Sequence, residues 1–370
     1  MNNMPIRVGL KSALFPGQTE HRVEQAVELV TSGYENIRAI EPRLFADRDL
    51  GENFDKTKEK IKEVAKRAHD NDISIGLELN DGWREEGEPF PMDPISPHEK
   101  IRETSLRYIQ RAEELAVDSR YCEWLLIPFM GHIQMIPVGK KPEFIDYERA
   151  IQKYREFLNR HRVVNRLETV PYSANIFDLS IGLFSYTPIY NLRHIMLAIS
   201  DTPSVKVTVD VAHDAQDQHF NYSVNRGMIN GRLPATIRTS FGDIYTMMFE
   251  EDRLNLGEIK KLSLPNVITR AIINSIIKYS NRISDYHISN AVAVDAAGTP
   301  TTPEEGYLSV KAGVRWDNQY GLLRIPELLA AIKQHTPDAL AIAEPTEPSG
   351  NYLEFPEGIN LVKYLAENLR

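Results

Sequence analysis

Four side chains able to ligate a metal stand near the ends of short apolar runs in the second half of the chain: Glu168 in NRLETV, Asp210 in VTVDVA, His287 in DYHISN and Glu344 in AIAEP. A carboxylate within an apolar run is costly to bury alone, so each calls for a cation or for hydrogen bonds. One shared divalent ion would serve all four. Two glutamates, an aspartate and an imidazole make a mixed oxygen and nitrogen donor set that suits Mn2+, Mg2+ or Co2+ and is compatible with Zn2+. The bland alternatives are an ion pair of Glu168 or Glu344 with an arginine such as Arg166 or Arg38, a strand-end turn closed by Asp210 with His213, and a hydrogen-bonded structural role for His287.

Such residues need elements that bring them together. Short β-branched or apolar runs recur along the chain, each followed by polar residues and an amphipathic helical stretch, which is the pattern of repeated βα units. The runs are IRVGLKSA (6–13), NIRAIEP (36–42), ISIGLEL (73–79), WLLIPFM (124–130), VVNRLETV (163–170), VKVTVDVA (205–212), DYHISNAV (285–292) and LAIAEP (340–345). Between them, EHRVEQAVELVTSGY, FDKTKEKIKEVAKRAHDND and IPELLAAIKQH carry apolar positions three and four apart. No Gly-rich dinucleotide fingerprint follows the first run, and a count of about eight favours closure into an α/β (β/α)8 TIM barrel over an open sheet. A single domain over residues 1–370 is expected, with long βα-loop insertions near 80–98, 214–262 and 293–320, all after strand ends, where barrels place their chemistry. Adjacent parallel strands lie about 5 Å apart, so the ends of strands five to eight can converge on one ion.

Composition narrows the partners. A 42% hydrophobic, 26% charged chain of 370 residues can bury a substantial core. Its formal charge of −9 argues against a phosphate-binding surface, and the run KTKEKIKEVAKR interleaves its lysines with glutamates as a solvated helix face does. Nucleic acid is therefore not an expected partner. No apolar run is long enough to span a bilayer, and the start MNNMPIRVGL lacks the apolar stretch of a secretory signal, so a cytoplasmic protein without membrane association is expected. One cysteine, Cys122, excludes an intramolecular disulfide and cysteine-rich zinc modules.

Taken in order, LET (167–169), DVAH (210–213), HISN (287–290) and AEP (343–345), with the opening EQAVELVTSGYENIRAIEP, resemble the xylose isomerase-like barrel superfamily of sugar isomerases, ketose 3-epimerases and inosose dehydratases. The resemblance implies one divalent ion, Mn2+ first among the candidates, held by Glu168, Asp210, His287 and Glu344, with Glu168 and Glu344 moving protons. It implies a carbohydrate or polyol substrate, an isomerase or epimerase working through an enediolate, and often a homo-oligomer. A lyase that eliminates water or cleaves a C-glycoside needs the same ion and base. Endonuclease-like phosphodiester hydrolysis and a non-catalytic binding barrel are the remaining classes. Around the ion, His213 would bind a substrate oxygen or support Asp210. His132 in PFMGH either meets substrate or closes a turn, and Glu78 with Trp83 reads as substrate-facing because barrel enzymes stack sugars on tryptophan. Lys11 ends the first strand, where a cation could meet a substrate oxyanion, but a salt bridge to Glu41 is expected. The epimerases carry an arginine and a Pro-Gly-x-Gly turn after the seventh-strand histidine. Here the sequence is AVAVDAAGTPTTPEEGYLSVKAGVRWDNQYG, in which Arg315, with Trp316 and Asp317, is the candidate replacement.

Overall fold

All eight runs form strands in the computed structural model, which describes residues 7–11, 37–80, 82–85, 88–131, 134–137, 147–170, 183–186, 192–225, 261–295, 298–306, 308–312, 318–344 and 355–369. They are β1 (Arg7–Lys11), β2 (Ile37–Glu41), β3 (Ser74–Leu79), β4 (Cys122–Pro128), β5 (Arg166–Glu168), β6 (Lys206–Asp210), β7 (Ile283–Ile288) and β8 (Leu340–Ala343). Each pairs in parallel with the next, and β8 returns to β1 with Arg7 opposite Leu340 and Leu10 opposite Ala343, so the sheet closes. A short strand, Arg43–Leu44, continues β2 beyond Pro42 and pairs with β3.

Closure explains the composition of the strands. Every residue of β3 and β8 is buried, because one face fills the barrel and the other meets the helices. The inward cluster is Ala39, Trp124, Leu126, Leu340 and Ile342. Gly76 is obligatory beside it, since a Cβ there would lie 1.8 Å from Cε2 of the Trp124 indole.

The described α-helices are α1 (Phe54–His69), α2 (Glu99–Ser119), α3 (Tyr147–Arg160), α4 (Leu192–Ala198), α5 (Val211–Asn225), α6 (Leu264–Tyr279), α7 (Ile325–His335) and α8 (Phe355–Asn368), and a π-helical turn spans Arg48–Glu52. Their apolar spacing does the work that was expected of it: α1 turns Thr57, Ile61, Val64, Ala65 and Ala68 inward. The stretch EHRVEQAVELVTSGY lies outside the described residues. No described helix is long and apolar enough to cross a membrane.

Two of the three long connections fold into antiparallel hairpins at the strand ends. Gly82–Glu85 pairs with Glu88–Pro91, and Asn290–Val294 pairs with Leu308–Ala312. The seventh run thus divides: β7 ends at Ile288, and the apolar residues after Ser289 leave the barrel. In the third connection α5 extends to Asn225, and residues 226–260 lie outside the described set.

Candidate metal centre

Asp210 is the last residue of β6, and α5 begins immediately after it. Its Oδ1 therefore caps the helix, accepting hydrogen bonds from the backbone N–H groups of Ala212 (3.0 Å) and His213 (3.1 Å). That leaves Oδ2 turned toward the barrel mouth. His287 stands opposite Asp210 in the β6–β7 register and opposite Ile342 of β8. Glu168 ends β5, and Glu344 follows β8 directly. Each of the four offers one ligand atom, and these atoms all lie within 4.8 Å of one another. All four residues are buried, at 3% exposure or less.

A clamp beneath orients His287. Its Nε2 lies 2.6 Å from Glu41 Oε1, and Glu41 Oε2 accepts from the Trp124 indole N–H at 2.6 Å. With Nε2–H donated to Glu41, Nδ1 is the nitrogen left to meet a metal ion. It faces Glu168 Oε1 at 2.8 Å and Glu344 Oε2 at 3.1 Å. Burial and Lys11 oppose protonation of His287, but Glu41, Glu168 and Glu344 outweigh them and hold its pKa well above the usual histidine value. Glu41, Asp285 and His287 also meet within 4.8 Å. There Asp285 is held by Arg166 at 3.0 Å and the Thr208 hydroxyl at 2.8 Å, and the trio backs His287 on its Nε2 side.

Three cations complete the centre. Lys11, fully buried, reaches Glu344 Oε1 at 2.6 Å and Glu78 Oε2 at 2.7 Å, and stands 4.0 Å from Glu168. Arg43 joins Glu78 (2.7 Å) and Glu344 Oε1 (3.1 Å). Lys311 reaches Asp210 Oδ2 at 2.6 Å and Glu344 Oε2 at 2.9 Å. The last contact is ionic only: Glu344 Oε2 has no hydrogen bond of acceptable geometry. Burial works against ionisation of Glu344, yet Lys11, Lys311 and His287 hold its carboxyl well below the usual range.

The donor set fits a divalent ion. Counted with His287 as a neutral ligand, five ionised carboxylates (Glu41, Glu78, Glu168, Asp210, Glu344) meet three cations (Lys11, Arg43, Lys311), leaving two negative charges that one such ion offsets. The poorly bonded Glu344 Oε2 points the same way.

No family model matches the chain, and no curated protein is similar to it in sequence. Solved structures are similar in fold. A D-tagatose 3-epimerase-like protein superimposes with a TM-score of 0.53 at 13% identity, covering 98% of this chain and 97% of its own. The D-allulose 3-epimerase of Methylomonas sp. gives 0.53 at 11% identity over 99% and 96%. A xylose isomerase domain protein of Planctomyces limnophilus gives 0.52 at 10% identity over 99% of both chains. The chain shares the (β/α)8 barrel fold of these structures.

Within this barrel the four side chains expected as ligands converge, and several neighbours differ from expectation. Glu168 and Glu344 do not pair with Arg166 or Arg38: Arg166 serves Asp285, and Arg38 is exposed. Lys11 joins Glu78 and Glu344, whereas Glu41 takes His287 and Trp124. Glu78 is fixed between Lys11 and Arg43, so it is a counter-charge, not an open substrate contact. Trp83 is 4% exposed and its ring packs against Phe90 (5.6 Å) and Tyr108 (5.9 Å), so it builds core and offers no face to a sugar. His213 sets Nδ1 3.2 Å from Asp210 Oδ2 and 3.2 Å from the Thr169 carbonyl, which is the supporting role. Burial, and Lys311 beside it, lower its pKa against the pull of Asp210, Glu168 and Glu344. His132 and Arg315, with Trp316 and Asp317, lie outside the described residues. Arg43 and Lys311 were not anticipated. Arg43 had a local signal, a charge just beyond the β2 end; Lys311, in a hairpin strand, had none.

Proposed function

We propose that this chain is a divalent-metal-dependent isomerase or epimerase of a sugar or polyol, moving a proton through an enediolate, with Mn2+ as the leading metal. The observation that carries this reading is the convergence of Glu168, Asp210, His287 and Glu344 from four consecutive barrel strands on one buried point. The similarly folded D-tagatose 3-epimerase-like protein and D-allulose 3-epimerase support the carbohydrate class. When bound, a divalent ion supplies charge stabilisation to adjacent substrate oxygens as the proton α to a carbonyl leaves.

The two glutamates differ in what surrounds them. Glu344 has Lys11 and Arg43 on Oε1 and Lys311 beside Oε2. Glu168 meets His287 and Lys11 through Oε1, and no hydrogen bond among the described residues falls on its Oε2. Glu168 is thus the base that takes the proton, with one oxygen to ligate and one to abstract; isomerisation returns that proton from Glu168, and epimerisation delivers a proton on the opposite face from Glu344. Glu41 orients His287, His213 and the α5 N–H groups fix Asp210, and Lys11 with Arg43 holds Glu344 in place.

Glu168→Gln tests the assignment. The variant keeps its metal and loses exchange of the substrate α-proton with solvent by about 100-fold or more. Exchange at the wild-type rate would remove Glu168 as base. A single open base also suffices for elimination, so a lyase on a related polyol or glycoside is the second reading. Screening ketoses, inososes and glycosides with Mn2+, following both proton exchange and elimination, separates the two.

A further inference from the structure

We propose that the Lys311 ammonium stands in the place of the divalent ion and is displaced when the ion binds, so that a lysine of this chain sets how tightly metal is held. The inference rests on the metal-centre reading above and concerns the two oxygens that the ion needs. Asp210 has given Oδ1 to the α5 backbone, and Glu344 has given Oε1 to Lys11 and Arg43. Each carboxylate keeps one oxygen for an ion, and a single ammonium holds both, at 2.6 Å from Asp210 Oδ2 and 2.9 Å from Glu344 Oε2. An ion bonded to those oxygens at roughly 2.2 Å would lie against Nζ, where like charges repel strongly.

The placement of the two lysines separates their roles. Lys11 belongs to a barrel strand, has no exposed side-chain surface and grips Glu78 and the other oxygen of Glu344. Lys311 comes from the hairpin strand Leu308–Ala312, opposite Ala291 and outside the barrel sheet, and its side chain is 14% exposed. Its ammonium can retreat toward the loop face without breaking a barrel pairing, remaining within the field of the centre. In the absence of an ion it keeps Asp210 and Glu344 from repelling each other, and so holds the ligands close to their working positions.

Two measurements test this. Titration of metal-stripped Lys311→Met with Mn2+ gives a dissociation constant about tenfold or more below that of the wild type, the scale of one unit charge a few ångströms from an ion in a partly solvated site. In the wild-type chain, lysine acylation read by peptide mass spectrometry rises at Lys311 on Mn2+ addition and stays unchanged at Lys11. The second measurement needs no variant to fold, and it distinguishes displacement from a purely long-range charge effect. Unchanged or weaker binding in Lys311→Met, or Lys311 labelling that does not respond to Mn2+, overturns the inference while leaving the metal centre intact. If neither chain binds Mn2+, both fall.

Discussion

At the residue scale, Glu41 decides what His287 can be. A buried imidazole with both nitrogens satisfied by neutral groups would be structural. Here a carboxylate fixes Nε2–H and aims Nδ1 at two further carboxylates. Removing the charge of Glu41 loosens that aim, so Glu41→Gln lowers Mn2+ affinity by about 10- to 100-fold; competition against a chelating dye reads it, and wild-type affinity would mean that something else orients the ring. The convergence of these side chains was legible in the sequence, for Glu168, Asp210 and Glu344 because a carboxylate in an apolar strand demands a partner and for His287 because it stands at the matching place on the seventh run. The wiring around them was not. Lys11 and Glu41 are register partners on adjacent strands, which makes a salt bridge between them reasonable, but Glu41 points across the barrel to His287 and Trp124. Trp83 misled in the other direction: tryptophan at a strand end suits a sugar platform, and only the packing of Phe90 and Tyr108 shows its face to be occupied.

At the element scale, the strands position the site through close fits between neighbours. Trp124 on β4 reaches Glu41 only because β3 carries glycine at position 76. Gly76→Ala drives a Cβ into the indole, so the variant loses about 1–3 kcal/mol in chemical denaturation and Trp124 fluorescence changes as its N–H leaves Glu41. Unaltered stability and emission would show that the indole has room to move. All eight strands could be read from apolar runs, with ends displaced by a few residues. The hairpin after β7 could not, because AVAV after Ser289 is as apolar and β-branched as a barrel strand, and nothing local says that the chain has left the sheet. Lys311 was hidden for the same reason.

At the scale of the whole molecule, closure of the barrel buries ionisable groups far from the centre as well as within it, and these shape stability against pH. His219 on α5 is fully buried, with Nε2 3.0 Å from the Pro303 carbonyl, and burial lowers its pKa to about 4 despite that carbonyl and Glu304. The folded chain keeps it neutral where the unfolded chain protonates it near pH 6.5, so its contribution is present above pH 6.5 and is lost as the pH falls toward 4. That loss is on the order of 3 kcal/mol between pH 7 and pH 4. His219→Gln, which retains an N–H donor for Pro303, shows a shallower loss of urea midpoint over this range; a slope equal to that of the wild type would place the acid sensitivity elsewhere.

The central claim is that one ion joins the ends of four strands, and calorimetric titration of the metal-stripped chain with Mn2+ tests it most directly. The account predicts saturation at one ion per chain, and loss of that binding in an Asp210→Ala, His287→Ala double variant that still unfolds cooperatively. A wild-type chain that takes up no ion, or a double variant that binds one as tightly as the wild type, would contradict it.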